Sequence, residues 1–140
     1  MFVLWLKGFF GYILKWSGSI STDRWVFFRT AVGESSVLEL NSFWGRFLGI
    51  KLYDYSEQIA KQSPILFFPR TRALHQLFSN YPLVVVFIDY QGKVLRQDCL
   101  RVGRVMMQKG AWGAFECLPE QKWQLLELLD NEKTMRQLLN

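Results

Sequence analysis

One histidine, His75, and two cysteines, Cys99 and Cys117, are the whole supply of imidazole and thiol in this 140-residue chain. That is a thin set for metal chemistry. A structural zinc site draws four nitrogen or sulfur ligands from closely spaced pairs, whereas these thiols stand 18 residues apart and no CxxC pair occurs. We therefore expect no metal and no cofactor. Two buried thiols are the preferred state of the cysteines, with a disulfide as the alternative for an exported domain.

Nucleophilic catalysis would need a hydroxyl beside His75 and a carboxylate to orient the imidazole. Ser79 is near in sequence, and Asp89 or Asp98 would be the acid, but no nucleophile elbow or oxyanion motif accompanies them. The plainer expectation is a hydrogen-bonded loop histidine that fixes the segment between two strands. Where a ligand is bound at all, we expect a cleft around His75, Arg101 and Arg104 that takes a small molecule or a sugar, with a cryptic hydrolase as the catalytic version of the same site. Neither GxxxxGK[ST] nor GxGxxG is present, so nothing supports a phosphate loop. Lys93, Arg96, Arg101, Arg104 and Lys109, opposed only by Asp98, form the densest positive stretch. Aromatics interleaved for base stacking are missing there, so a solvated face or membrane headgroups are preferred to nucleic acid.

The elements that must position these residues centre on PILFFPRTRALHQLFSNYPLVVVFIDYQG, residues 64–92. ILFF between Pro64 and Pro69 reads as a short strand, and RTRALHQLFSNY as a less regular loop holding His75. LVVVFIDY, 83–90, is the strongest strand, expected at the sheet centre and covered on both faces. YQGK turns the chain into VLRQDCLRV, a half-exposed strand. Upstream, WVFFRTAV and VLEL form a hairpin around a GESS turn. Asn41 or Ser42 then caps a helix with Phe43, Phe47 and Ile50 toward the core, and 54–63 is loop or a marginal helical turn. Gly110 and Gly113 flank a turn before a last strand, Phe115 to Leu118. Beyond Pro119, leucine spacing gives two short helices broken near Asp130 and Asn131. Half the residues are apolar, 16% are aromatic and the formal charge is +5, a composition that folds and allows an anionic partner.

Residues 1–16, MFVLWLKGFFGYILKW, are nearly all apolar. At 100° per residue Lys7 and Lys15 fall on a narrow edge with Gly8 and Gly11, opposite Trp5, Phe9, Tyr12 and Trp16. That is the arc of a helix lying in a bilayer interface, with Trp5, Lys7, Phe9, Tyr12, Lys15 and Trp16 as membrane contacts. The alternatives are packing on its own domain or on a second copy, a signal peptide cleaved after SGS, and a spanning helix. Residues 17–24 read as a linker.

Four blocks carry a family likeness: SFWGRFLGI at 42–50, PILFFP at 64–69, HQLFSNYPLVVVFIDYQGKVL at 75–95, and LRVGR at 100–104 with GAWGAFECLP at 110–119. Together they resemble the domain of unknown function 192, across about residues 25–119. Ser79 and Asn80 stand where one branch of that family usually has Met and Arg, and Val84 where it usually has Asp. The resemblance implies a compact, mostly antiparallel β fold of jelly-roll or barrel-like type, placed in envelope-associated settings, with no established activity. The expected fold is thus mainly β, an antiparallel β-sandwich or barrel-like domain over 25–119 with short edge helices. An N-terminal amphipathic helix at 1–16 and a C-terminal helical extension at 120–140 flank it. The expected role is a non-enzymatic accessory or binding domain of the bacterial envelope. Its partners would be a membrane surface or an envelope protein, with the side of the membrane open and a periplasmic or cytoplasmic soluble protein as alternatives.

Overall fold

The computed structural model describes residues 23–76 and 82–140, and among them the chain forms eight strands and five short α-helices. The residues named for membrane contact, Trp5, Lys7, Phe9, Tyr12, Lys15 and Trp16, lie outside the described residues, as do Ser79 and Asn80. Strands β1 (Arg24–Thr30) and β2 (Gly33–Glu39) pair as a hairpin, with Thr30 opposite Gly33. GESS was expected as the turn, but it is the first half of β2. The turn is Ala31–Val32, where Thr30 Oγ1 donates to the Gly33 carbonyl at 2.8 Å. That closure leaves Glu34, Ser35 and Ser36 free to pair with Arg29, Phe28 and Phe27.

Three helices follow: α1 (Phe43–Leu48), α2 (Leu52–Tyr55) after a 3-10 turn at Gly49–Lys51, and α3 (Glu57–Gln62). Ser42 caps α1 by accepting the Gly45 N–H at 3.0 Å, as expected of it. Asp23 holds this corner, accepting from Asn41 N at 2.7 Å, Ser42 N at 2.8 Å and Ser42 Oγ at 3.0 Å. The last two positions of the expected linker are therefore structured. Helix α1 stops at Gly49, whose φ of +53° turns the chain, so the continuous helical face expected for Phe43, Phe47 and Ile50 does not form. Ile50 is buried and Phe47 half-buried, while Phe43 is 71% exposed. Residues 54–63, expected as loop or a marginal helical turn, are largely helical because Ser56 caps α3 through the Ile59 N–H at 3.2 Å and Ile59 anchors it in the core.

Strands β3 (Ile65–Pro69), β4 (Ala73–His75), β5 (Leu83–Ile88), β6 (Val94–Leu100), β7 (Val105–Met107) and β8 (Gly113–Cys117) complete the set. The main sheet has six strands in the order β1-β2-β3-β8-β5-β6, and β4 with β7 makes a second sheet of two. The fold is mainly β and mixed. Among the described residues the parallel pair is β2 with β3, because the helices of residues 40–64 bring the chain back to start β3 at the same end as β2. Strand β8, whose five residues are all buried, lies between β3 and β5. As expected, β5 is almost wholly buried, whereas β6, expected to be half-exposed, exposes nearly all of VLRQDCL because it is an edge. His75 ends a strand rather than sitting in an irregular loop.

Period-2 alternation divides the core into two layers. Leu38, Leu66, Phe68, Val85, Phe87 and Ala114 face one way, where α1–α3 and the small sheet cover them through Leu48, Leu52, Ile59, Leu74 and Met106. Val37, Ile65, Phe67, Val86, Phe115 and Cys117 face the other way, against Leu125 and Leu128 of α4 (Lys122–Leu129) and Met135 and Leu138 of α5 (Glu132–Leu139). The break between those helices falls where it was expected, with Asn131 accepting the Thr134 N–H at 3.1 Å. Cys117 is buried and Cys99 exposed, both as free thiols, so the expectation of two buried thiols fails at Cys99, which sits on the edge strand.

Candidate functional site

Arg46 is an isolated charge in the apolar helix α1, and its side chain returns to the main sheet. Nη1 donates to the Pro69 carbonyl at 2.7 Å and Nη2 to the Thr71 hydroxyl. Thr71 Oγ1 in turn donates to the Pro69 carbonyl at 3.0 Å. The chain can reverse between those two residues because Arg70 adopts a left-handed φ of +50°. Burial, and after it the charge of Arg70, lowers the pKa of Arg46, but a guanidinium stays cationic at any pH where the protein folds.

Behind Arg46 the sheet contributes Glu116. Alternation along β8 puts it on the same face as Ala114, with Leu66 of β3 and Val85 of β5 as its cross-strand neighbours. Only 2% of its surface is exposed. Burial pushes the carboxyl up to about 8, opposed by a hydrogen bond from the Ile50 N–H, so it is a neutral acid and a proton donor at pH 7. The approach to it runs past Gly49. A Cβ there would lie 3.2 Å from Glu116 Oε1 and 3.6 Å from Phe68 Cζ, at a φ that L-residues rarely adopt.

Between these groups lies a pocket of about 80 Å³, lined by Arg46, Thr71 and Glu116, by the apolar walls Phe47, Phe68 and Leu74, and by Ala73, His75 and Gln76. The His75 ring is half-buried at the end of β4 and tilts against Phe47 with centroids 5.7 Å apart. Among the described residues the polar chemistry is thus one fixed cation, one neutral acid, a hydroxyl, an imidazole and the Gln76 amide, beside the apolar walls.

His75 lines the pocket of Arg46 and Glu116, and the described residues of that pocket include neither Arg101 nor Arg104. Arg101 and Arg104 line a wider depression of about 390 Å³ with Arg96, Asp98 and Cys99, between β6 and β7. The turn that carries Arg101 and Arg104 meets the end of β4 through its backbone, the Arg104 carbonyl accepting the Gln76 N–H at 2.9 Å. The two candidate acids are engaged elsewhere. Asp89 Oδ1 accepts from Gln91 N and Lys93 N at 2.9 Å each and closes the β5–β6 turn. Asp98 pairs with Arg96 at 3.0 Å on the exposed edge strand, where the Cys99 N–H and then Arg96 hold its carboxyl below the ordinary range. That pair also neutralises part of the basic stretch.

Sequence reasoning passed over Arg46, Thr71 and Glu116. The available signal was a single charge inside an apolar run, Arg46 in FWGRFLGI and Glu116 in GAFECL, where the period of the element directs it to the core side. Among the described residues no group of His, Cys, Asp and Glu is arranged to hold a metal ion, and no helix is long and apolar enough to cross a membrane. Comparison with protein families, with curated proteins and with solved structures finds no match for this chain.

Proposed function

We propose that this chain is a binding domain, not an enzyme, and that it holds a small molecule in the pocket of Arg46, Thr71, His75 and Glu116. One observation carries the proposal: a buried carboxyl and a partly buried guanidinium line the same cavity. Burying an acid in a hydrophobic layer costs stability that function can justify, and pockets with a few convergent polar groups in apolar walls are the usual form of ligand sites. The one hydroxyl of the wall, Thr71, already donates to Pro69 and accepts from Arg46, which favours binding over nucleophilic attack. At about 80 Å³ the cavity equals about two or three waters of liquid volume, which favours a small ligand over a sugar ring.

A fragment screen by amide chemical shifts on the full chain tests this. Hits should perturb residues around Glu116 and disappear in Ala73→Phe, which plugs the mouth from an exposed strand position. No hit with the intact protein would sink the proposal.

The finer architecture is proposed as a β-sandwich or barrel-like packing, since Leu74 of β4 and Met106 of β7 share a core layer with the main sheet. Membership of the domain of unknown function 192 is proposed on the sequence blocks alone. Arg46 and Gly49 fall in the block at 42–50 and Glu116 in that at 110–119, so such a family would share this pocket. A second proposal concerns location, and the aromatic and lysine pattern of residues 1–16 favours it: the domain sits at a membrane surface as an envelope accessory. Deleting residues 1–21 should abolish co-sedimentation with vesicles, and equal partitioning of the shortened protein would refute it.

A further inference from the structure

We infer that the pocket takes the carboxylate end of a small organic acid, held jointly by the Arg46 guanidinium and by the Glu116 carboxyl acting as a hydrogen-bond donor. This rests on reading the pocket as a ligand site.

The electrostatics select the ligand's charge. The wall holds one permanent cation, Arg46, with Arg70 reinforcing the positive field around it. Burial pushes Glu116 up to about 8, so at neutral pH it adds a donor and no negative charge. An amine would meet Arg46 as a like charge and would need Glu116 ionised in a place where burial opposes ionisation. A neutral amide would leave the guanidinium without a counter-charge in a partly desolvated site. A carboxylate accepts from both groups, and charge-assisted hydrogen bonds of this kind are the strong ones.

Shape narrows the class further. About 80 Å³ suits a planar carboxylate carrying a few carbons, and Phe47, Phe68 and Leu74 offer those carbons an apolar wall. Gly49 is the residue that keeps the carboxyl reachable, since a side chain there would press on Glu116 Oε1.

A pH dependence follows. Once Glu116 ionises, it faces the ligand as a second anion and no longer donates. Leu66 and Phe68 from β3, Val85 from β5, Gly49 and Ile50 from the 3-10 turn and Leu74 from β4 do not titrate, and the adjacent Cys117 on the opposite face of β8 is pushed up to about 12, outside the pH range at issue. Arg46 and His75 are the other ionisable side chains of the pocket among the described residues.

The experiment titrates the full chain with propionate, propionamide, propylamine and inorganic phosphate, read by amide shifts and calorimetry from pH 6.5 to 9.5. Propionate should bind at least tenfold more tightly than the other three, and weaken about tenfold per pH unit above pH 8. Glu116→Gln keeps a donor on the side chain, so it should still bind propionate but with affinity independent of pH. His75→Ala run in parallel should keep the same loss above pH 8, which excludes the imidazole as its source. Equal or tighter binding of the amide, amine or phosphate, lost in Ala73→Phe, would overturn the carboxylate inference and leave the binding site standing. A pH dependence unchanged in Glu116→Gln would overturn the donor role. No binding by any of the four, together with an empty fragment screen, would overturn the site itself.

Discussion

Replacing Glu116 by Gln should remove a specific pH dependence of stability. In the unfolded chain the carboxyl loses its proton near its ordinary value of 4.5, whereas the native pocket retains the proton up to about 8. Between those values the native state binds one proton more than the unfolded state, so stability falls as pH rises. Below 4.5 the contribution is fully present, and by about 8 it has been lost. At about 1.4 kcal/mol per pH unit the loss across that window is on the order of 5 kcal/mol, a large share of a small domain's total. Gln keeps a carbonyl to accept the Ile50 N–H and carries no charge at any pH. Urea unfolding at pH 5, 6, 7 and 8 gives the comparison directly, because titrations elsewhere cancel between the two proteins. The variant's advantage over the parent should grow with pH by about 1 kcal/mol per unit. Parallel pH profiles for the two proteins would refute the account of Glu116 as a buried acid.

Gly49→Ala should lower stability by about 1–3 kcal/mol through its positive φ and its crowding of Glu116 Oε1, and should shrink the pocket; an unchanged urea midpoint would contradict this. Asp23→Ala strands the Asn41 and Ser42 amides at the head of α1 and should cost about 1–3 kcal/mol in the same assay. Native protein should react with a thiol reagent at Cys99 alone, because Cys117 is buried and its thiol is pushed up to about 12, with both labelled after unfolding. Rapid native labelling of Cys117 would mean that the α4–α5 layer opens easily.

The strongly patterned segments were legible. LVVVFI and ILFF are strands because uninterrupted β-branched and aromatic runs have few other ways to be buried, and the terminal leucines give two helices because Asn131 caps the second. GESS misled because its polar residues look like a turn, while the pairing of β2 with β1 is set by the two residues before it. The pocket was hidden for a different reason. Arg46, Thr71 and Glu116 lie far apart in sequence, and only the placement of β8 beside β3 brings them together. His75 stood out for being the only histidine, and it does line the pocket. Arg101 and Arg104 stood out for charge density, and they sit in the turn between β6 and β7, where they line another depression.

The position of β8 also governs the order in which the molecule can be made. Until the ribosome has delivered Gly113–Cys117, β3 and β5 are open strands with no neighbour on the sides that will later meet. Both are among the most apolar segments of the protein, and open apolar edges invite pairing with other chains. A nascent chain halted near Lys109 would hold two unfinished half-sheets, one from β1–β3 and one from β5–β6, with no pocket floor between them. Such a chain should aggregate or be held by chaperones, and a soluble, monomeric fragment of residues 1–109 would contradict this order of assembly.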